Sequence, residues 1–487
     1  MVRALAPSPF RVIGLYSPNY QLESITDVLL EGARMVFSDI MQRFIGRRPV
    51  AVMTQMLLEK QFSDDFFDSV FDEVAKDQYV RTLTLSTCAR LVVEVTFGRA
   101  KSIHAAYGKE QENVAASIGS LYEKLQRIEP AVCEELVSRS AVDLSEVVAS
   151  LRKRPEFVPG YRLRFLDGNV LAGSEHRVRE LRGLAAAAMP GMSLVFYDYG
   201  TDLISDLVAC EDGQASERRL LSRVYPKIKP NDLITADRNF CTEDMLVQTT
   251  ARGAAFLIRH HKQMVLLRQG KAKDCGRCST GRVFEQEVIL AKNPRFRCRA
   301  IVIVRDKPLD DGGRKVVLLT NLPADKATAL QCAELYLKRW TIEEAFRQLT
   351  QYLSCEVRTL GYPKAALFAF TLAVLGYNTV SCIHAALLTA NADTEVSNYY
   401  LAWEIKTTFE GMLIAIPPQE WNVFATMDNV TLAQILSEIA KTADLRRYAK
   451  HKRKAKKTTP RKKVKSKHVS TAEVLETRKK KPVENVS

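Results

Sequence analysis

Residues 335–350, LYLKRWTIEEAFRQLT, decide how the rest of the chain is read. Tyr336, Arg339, Glu343, Arg347 and Thr350 stand at offsets 0, 3, 7, 11 and 14 within it. At about 100° per residue these five share roughly 80° of one helix face. The face carries a carboxylate flanked by two guanidinium groups and a phenol. Such a carboxylate suits a metal ion, and the arginines suit phosphate oxygens, which they grip in a bidentate manner. The same spacing also produces Arg–Glu–Arg ladders on solvated helices, so the helix alone leaves both readings open. Trp340 and Glu344 flank the face, Trp340 as a packing residue and Glu344 as a support for Arg347 or Arg339.

Two further acids follow strand-like apolar runs: RLRFL leads into Asp167-Gly-Asn, and DLITA leads into Asp237-Arg-Asn-Phe. In open α/β sheets the carboxyl ends of strands form the active crevice, so acids at two strand ends converge although far apart in sequence. Carboxylate oxygens suit magnesium. Asp before Gly or Asn is also a common turn former, and each aspartate by itself reads more readily as a turn residue than as a catalytic one. Glu343 on its helix is what gives the pair weight.

Taken with the β-rich stretch before it, the helix resembles the Y-(2)-R-(3)-E-(6)-K signature of the insertion-sequence-four family of bacterial transposases. Tyr336, Arg339 and Glu343 match its spacing, whereas Thr350 stands at the lysine position; Arg347, one turn earlier, is the candidate substitute. The resemblance extends to Asp167-Gly-Asn, to Gly-Ser-Glu-His-Arg at 173–177, to Cys210-Glu-Asp followed by Glu217-Arg218, and to Asp237-Arg-Asn-Phe, and it covers about residues 160–390. It implies an α/β, RNase H-like core with a β-rich subdomain inserted between the second acid and the glutamate. Asp167, Asp237 and Glu343 then form a DDE set, both catalytic and metal-ligating, that holds two Mg2+ ions, with Mn2+ as a substitute. Tyr336, Arg339 and Arg347 contact DNA phosphates. The implied partners are double-stranded DNA, as terminal inverted repeats and as target, and a second copy of the chain in a synaptic complex. The implied setting is the bacterial cytoplasm at the nucleoid, and the implied function is cleavage of insertion-sequence ends and transfer of their 3′ ends into target DNA, by a cut-and-paste route through a hairpin. Two other readings of the residues remain: a catalytically silent DNA-binding protein derived from such an element, and a hydrolytic nuclease of the same fold. His176 lies in a polar loop and is assigned no catalytic part.

At 487 residues the chain is long enough for two or three domains and a large core. The organisation expected is a helical, DNA-end-binding region at 1–155, the first part of the core at 156–261, a β insertion at 262–323, the second part of the core at 324–390, helices at 391–445 and a basic tail at 446–487. Of a net charge of +15, the last 42 residues carry +14. A polyanion is the natural partner of that tail, with a solvated tail as the plain alternative. Within the N-terminal region, residues 114–127 (VAASIGSLYEKLQR) read as a helix-turn-helix with its turn at Gly119 and with Lys124 and Arg127 facing the major groove.

No secretory h-region opens the sequence, and ten scattered cysteines point to a reducing compartment. Ala365–Leu387 is apolar enough to raise a membrane span, but Gly376, Asn378, Ser381 and His384 interrupt it, and a buried core helix with no membrane contact is expected.

Overall fold

A computed structural model of the chain describes residues 28–30, 33–35, 37–78, 82–171, 190–309, 312–357, 359–390 and 395–450. The loop at 173–177, with His176, and nearly all of the basic tail lie outside them. A short hairpin, β1 (Val28–Leu30) and β2 (Ala33–Met35), precedes helices α1 (Asp39–Arg47), α2 (Pro49–Gln61), α3 (Asp64–Val74), α4 (Leu85–Thr96), α5 (Ile103–Glu110), α6 (Ile118–Leu125) and α7 (Pro130–Leu151). Local chemistry sets their starts. Ser38, Ser63, Thr84, Ser102 and Ser117 each accept a hydrogen bond from the amide three residues on, and proline opens α2 and α7. Each cap stabilises its helix by about 1 kcal/mol. The cap at Ser117 corrects one expectation: it starts α6 before Gly119, which lies in the helix's first turn, so the turn between α5 and α6 falls at 111–117.

The core sheet begins with β3 (Arg162–Leu171), β4 (Gly191–Asp198) and β5 (Leu203–Cys210). Then come α8 (Leu221–Val224), β6 (Asp232–Ala236), α9 (Glu243–Ala251) and β7 (Ala255–Arg259), followed by β8 (Leu266–Cys278), β9 (Gly281–Leu290), β10 (Asn293–Arg305) and β11 (Lys315–Thr320). These nine strands form one sheet in the order β5-β4-β3-β6-β7-β11-β10-β9-β8. The first three are antiparallel, and β6 and β7 run parallel to β3, the arrangement of an RNase H-like core. The β-rich insertion does not stand apart as its own small sheet. β11 pairs with β7 through Leu318–Arg259, Ile258–Leu319 and Leu257–Thr320, so the edge of β7 is covered and the core sheet simply continues.

Alternation along the strands sends side chains to two cores. Phe165, Val195, Tyr197 and Leu207 face one layer of helices, and Leu166, Leu194, Phe196 and Ile234 face α8 and α9 on the other side. The chain ends with α10 (Ala329–Leu337), α11 (Trp340–Gln351), α12 (Pro363–Ala390), α13 (Asn398–Ala415) and α14 (Asn429–Lys441). Among the described residues α12 is the one helix long and apolar enough to cross a membrane, and its apolar window is wholly enclosed by the fold, packed on α7, α14, α4 and β5. Its polar interruptions have structural partners. Asn378 accepts from Ile204 N at 2.8 Å and donates to Ile204 O at 3.0 Å, stitching α12 to β5. Gly376 lets Phe97 approach, since a Cβ there would meet the ring at 2.8 Å.

Candidate active site

The strand register brings the two aspartates together. The parallel ladder between β3 and β6 ends at Leu166–Ala236, so Asp167 on β3 and Asp237 just past β6 are the next residue on each side. Asp167 is not at a strand end as expected. β3 runs on to Leu171 against β4, and only its pairing with β6 stops before the acid. Asp237 caps a 3-10 turn (Arg238–Phe240), accepting from Asn239 N at 2.7 Å.

The helix carrying the third acid is broken. Lys338 N, Arg339 N, Thr341 N and Ile342 N each bond the carbonyl three residues back, a tightened turn between α10 and α11. Tyr336 therefore lies in the last turn of α10, Arg339 at the joint and Glu343 in the first turn of α11, instead of on one continuous helix. Ile342, Ala345 and Leu349 face inward from α11 and fix its roll against β3 and α12. The joint places Arg339 between two acids. Its Nη1 donates to Asp167 Oδ2 at 2.9 Å and its Nη2 to Glu343 Oε1 at 2.6 Å, with only 11% of the side chain exposed. Tyr336 is half-buried beside it, and burial pushes its phenol up to about 12.

A fourth carboxylate joins the group. Glu217, in the 3-10 turn Glu217–Leu220 after β5, lies against Gly168, where a Cβ would fall 2.2 Å from its Oε1. Arg218 Nε donates to Asn239 O at 2.9 Å and ties that turn to the one capped by Asp237. Burial, then repulsion from Asp237 and Asp167, pushes the Glu217 carboxyl up to about 7. Asp167 is pushed up to about 6 by burial, against the opposing pull of Arg339. Glu217-Arg218 was visible in the sequence only as one stretch of a wider resemblance, because nothing local marks a lone glutamate after a loop as part of an acid cluster.

The donors suit a hard divalent cation. Four carboxylates gather near one guanidinium that bonds two of them, Asp167 and Glu343, and burial first, then the neighbouring negative charge, makes Asp167 and Glu217 hold protons unusually tightly. No three His, Cys, Asp or Glu side chains among the described residues already form a ligand cluster.

The remaining expected residues fall elsewhere. Arg347 is exposed and occupied by Glu344, with Nε to Oε2 at 2.9 Å, and by Gln351 at 3.2 Å. Thr350 donates back to Phe346 O at 3.1 Å. Trp340 is not packed but 64% exposed, with Arg339 5.8 Å from its ring. Lys124 is a correction: its ammonium is turned inward, 4.1 Å from the Phe71 ring and out of contact with solvent, so it presents no charge to a DNA groove. Arg127 stays on the surface.

Residues 163–379 match the family described as Transposase DDE domain. No curated protein matches the sequence. Among solved structures, a piggyBac transposase synaptic complex with hairpin DNA is similar at 10% identity and a TM-score of 0.40, over 82% of this chain and 86% of that one.

Proposed function

We propose that this chain, whose residues 163–379 match the Transposase DDE domain family, is a DDE-type DNA transposase that cuts insertion-sequence ends and joins the freed 3′ ends to target DNA at Asp167, Asp237 and Glu343. The observation that carries the proposal is the meeting of the three acids: two side by side past the end of the parallel ladder, and the third joined to the first through Arg339. DDE transposases use divalent ions. Here Asp167, Asp237 and Glu343, with Glu217 beside them, would hold two Mg2+ ions, or Mn2+ in their place. When bound, such ions activate the attacking water or 3′-hydroxyl and stabilise the leaving oxygen.

The chain's own groups supply the rest. Asp167 lies on β3 and Asp237 directly follows β6, so the paired strands set how the two acids approach. Arg339 balances charge between Asp167 and Glu343. The match at Tyr336, Arg339 and Glu343 favours the insertion-sequence-four group and its cut-and-paste route, with a dimer pairing two DNA ends at the bacterial nucleoid. Incubation with Mg2+ and duplexes bearing the inverted repeats that flank the gene should give end cleavage and joined products. DNA binding without cleavage would contradict the proposal, and cleavage without joining would reduce it to a nuclease.

Two substitutions probe the site's edges. Gly168→Ala is expected to leave the fold intact, because the group it meets is the far end of a flexible side chain, but to drive Glu217 away from the aspartates. The Mg2+ concentration for half-maximal cleavage should rise by about 10–100-fold, the usual cost of losing a supporting group at a metal site. Thr350→Lys restores the family's residue at an exposed position whose hydroxyl bonds only its own helix and a thiol 3.8 Å away. Transposition frequency should hold or rise, and a large drop would show that this part of the site has been rebuilt.

A further inference from the structure

Away from the acids, an open groove of about 710 Å³ runs between α1, α13 and the 3-10 turn Leu445–Arg447. Arg43, Arg47, Arg48 and Arg447 line it, with Thr407 and Thr408, and no acidic side chain does. Arg43 and Arg47 sit one turn apart on α1, exposed, with no acidic partner among the described residues. Arg447 Nη1 donates to Arg47 O at 2.9 Å, which fastens the turn to the end of α1. Two acids lie near. Asp444 stands 4.0 Å from Arg447 and is engaged by Arg446. Glu404 stands 3.8 Å from Arg48 but is 2% exposed and holds Tyr448 Oη at 2.6 Å and Ala51 N at 3.2 Å. Glu404 is thus held inside the fold by Tyr448 and Ala51 and does not line the groove.

A body that is close to neutral over residues 1–445 does not gather four guanidinium groups in one concavity, two of them without an acidic partner among the described residues, without cost, because like charges repel at that range. An anionic ligand with repeating oxygens removes the cost. The groove is also tied to the active site. Asn398, the first residue of α13, donates to Gln348 Oε1 of α11 at 2.6 Å. Thr407 follows about 14 Å along the helix, well inside one duplex turn of about 34 Å.

We infer that this groove binds the phosphate backbone of duplex DNA flanking the phosphodiester held at the acid cluster. The inference rests on the transposase reading and adds a contact region on α1 and α13 in which forked donors meet phosphates without reading bases.

The test uses the full-length chain and a random-sequence duplex, with binding followed by fluorescence anisotropy from 0.05 to 0.5 M salt. Arg43→Ala combined with Arg47→Ala should weaken binding about thirtyfold at 0.15 M salt and lower the slope of log K against log salt by about two. Arg43→Lys with Arg47→Lys should keep the slope, since the charges remain. Unchanged affinity and slope in the alanine pair would overturn the inference, as would an equal loss in the lysine pair. A defect confined to phosphatidylserine vesicles, with DNA binding intact, would overturn it in favour of a lipid surface. Absence of DNA binding by the unmodified chain would sink the transposase reading itself, an outcome separable from failure of the groove.

Discussion

Glu343→Gln leaves binding to transposon-end DNA within about twofold of the unmodified chain and lowers end cleavage by at least about a thousandfold. Gln keeps the shape of Glu and loses one negative charge, so the helix joint and the packing of Ile342, Ala345 and Leu349 are untouched. The lost charge matters twice. It removes a ligand from ions whose stabilisation of the reacting oxygens is several kcal/mol, and about 4 kcal/mol is a thousandfold in rate. It also releases Arg339, which then pairs with Asp167 alone. Gel-shift and cleavage assays on the same preparation separate the two effects, and retained cleavage would remove Glu343 from the catalytic set.

Arg164→Ala is the largest expected loss of stability. Arg164 is wholly buried on β3, three residues before Asp167. Its Nη1 donates to Asp232 Oδ2 at 2.9 Å and Lys227 O at 2.8 Å, and its Nη2 to Ser205 Oγ at 3.0 Å and to Asp206. One side chain thereby joins β3, β5, β6 and the turn before β6. Alanine leaves Asp232, 1% exposed, without its counter-charge in the interior, and breaking such a pair costs about 3–5 kcal/mol. Urea unfolding followed by circular dichroism measures the loss. Adding Asp232→Asn should recover part of it, whereas a shift under about 1 kcal/mol for Arg164→Ala would show that water or a neighbouring cation replaces the guanidinium.

Much of the site was legible because its chemistry is carried by local patterns. Asp167 and Asp237 each come directly after an apolar run that reads as a strand, and Tyr336, Arg339 and Glu343 have helical spacing that survives the break at the joint. Ala365–Leu387 was legible as a core helix because its polar residues are too many for a bilayer and fit a protein interior, where Asn378 meets a strand backbone. What stayed hidden depends on contacts between distant residues. The break between α10 and α11 leaves no proline or glycine in the sequence; it follows from packing Leu335 and Ile342 into the core on either side of Arg339. Glu217 is linked to Asp167 only through the approach of its turn to Gly168. Lys124 and Trp340 were misjudged in opposite directions. Residue type suggested an outward ammonium and an inward indole, but the Phe71 ring draws the ammonium in and the joint's geometry leaves the indole out. The continuation of the sheet through β11 also depends on a partner strand some sixty residues away.

The central claim is that the acids beside Arg339 act by holding hard divalent ions, and Asp237→Cys tests it most directly. A thiolate is a poor ligand for Mg2+ and a better one for softer ions such as Mn2+. Cleavage of a transposon-end duplex by Asp237→Cys should therefore be lost in Mg2+ and regained in Mn2+, while the unmodified chain works in both. Equal activity of the variant in the two ions, whether high or absent, would contradict the account.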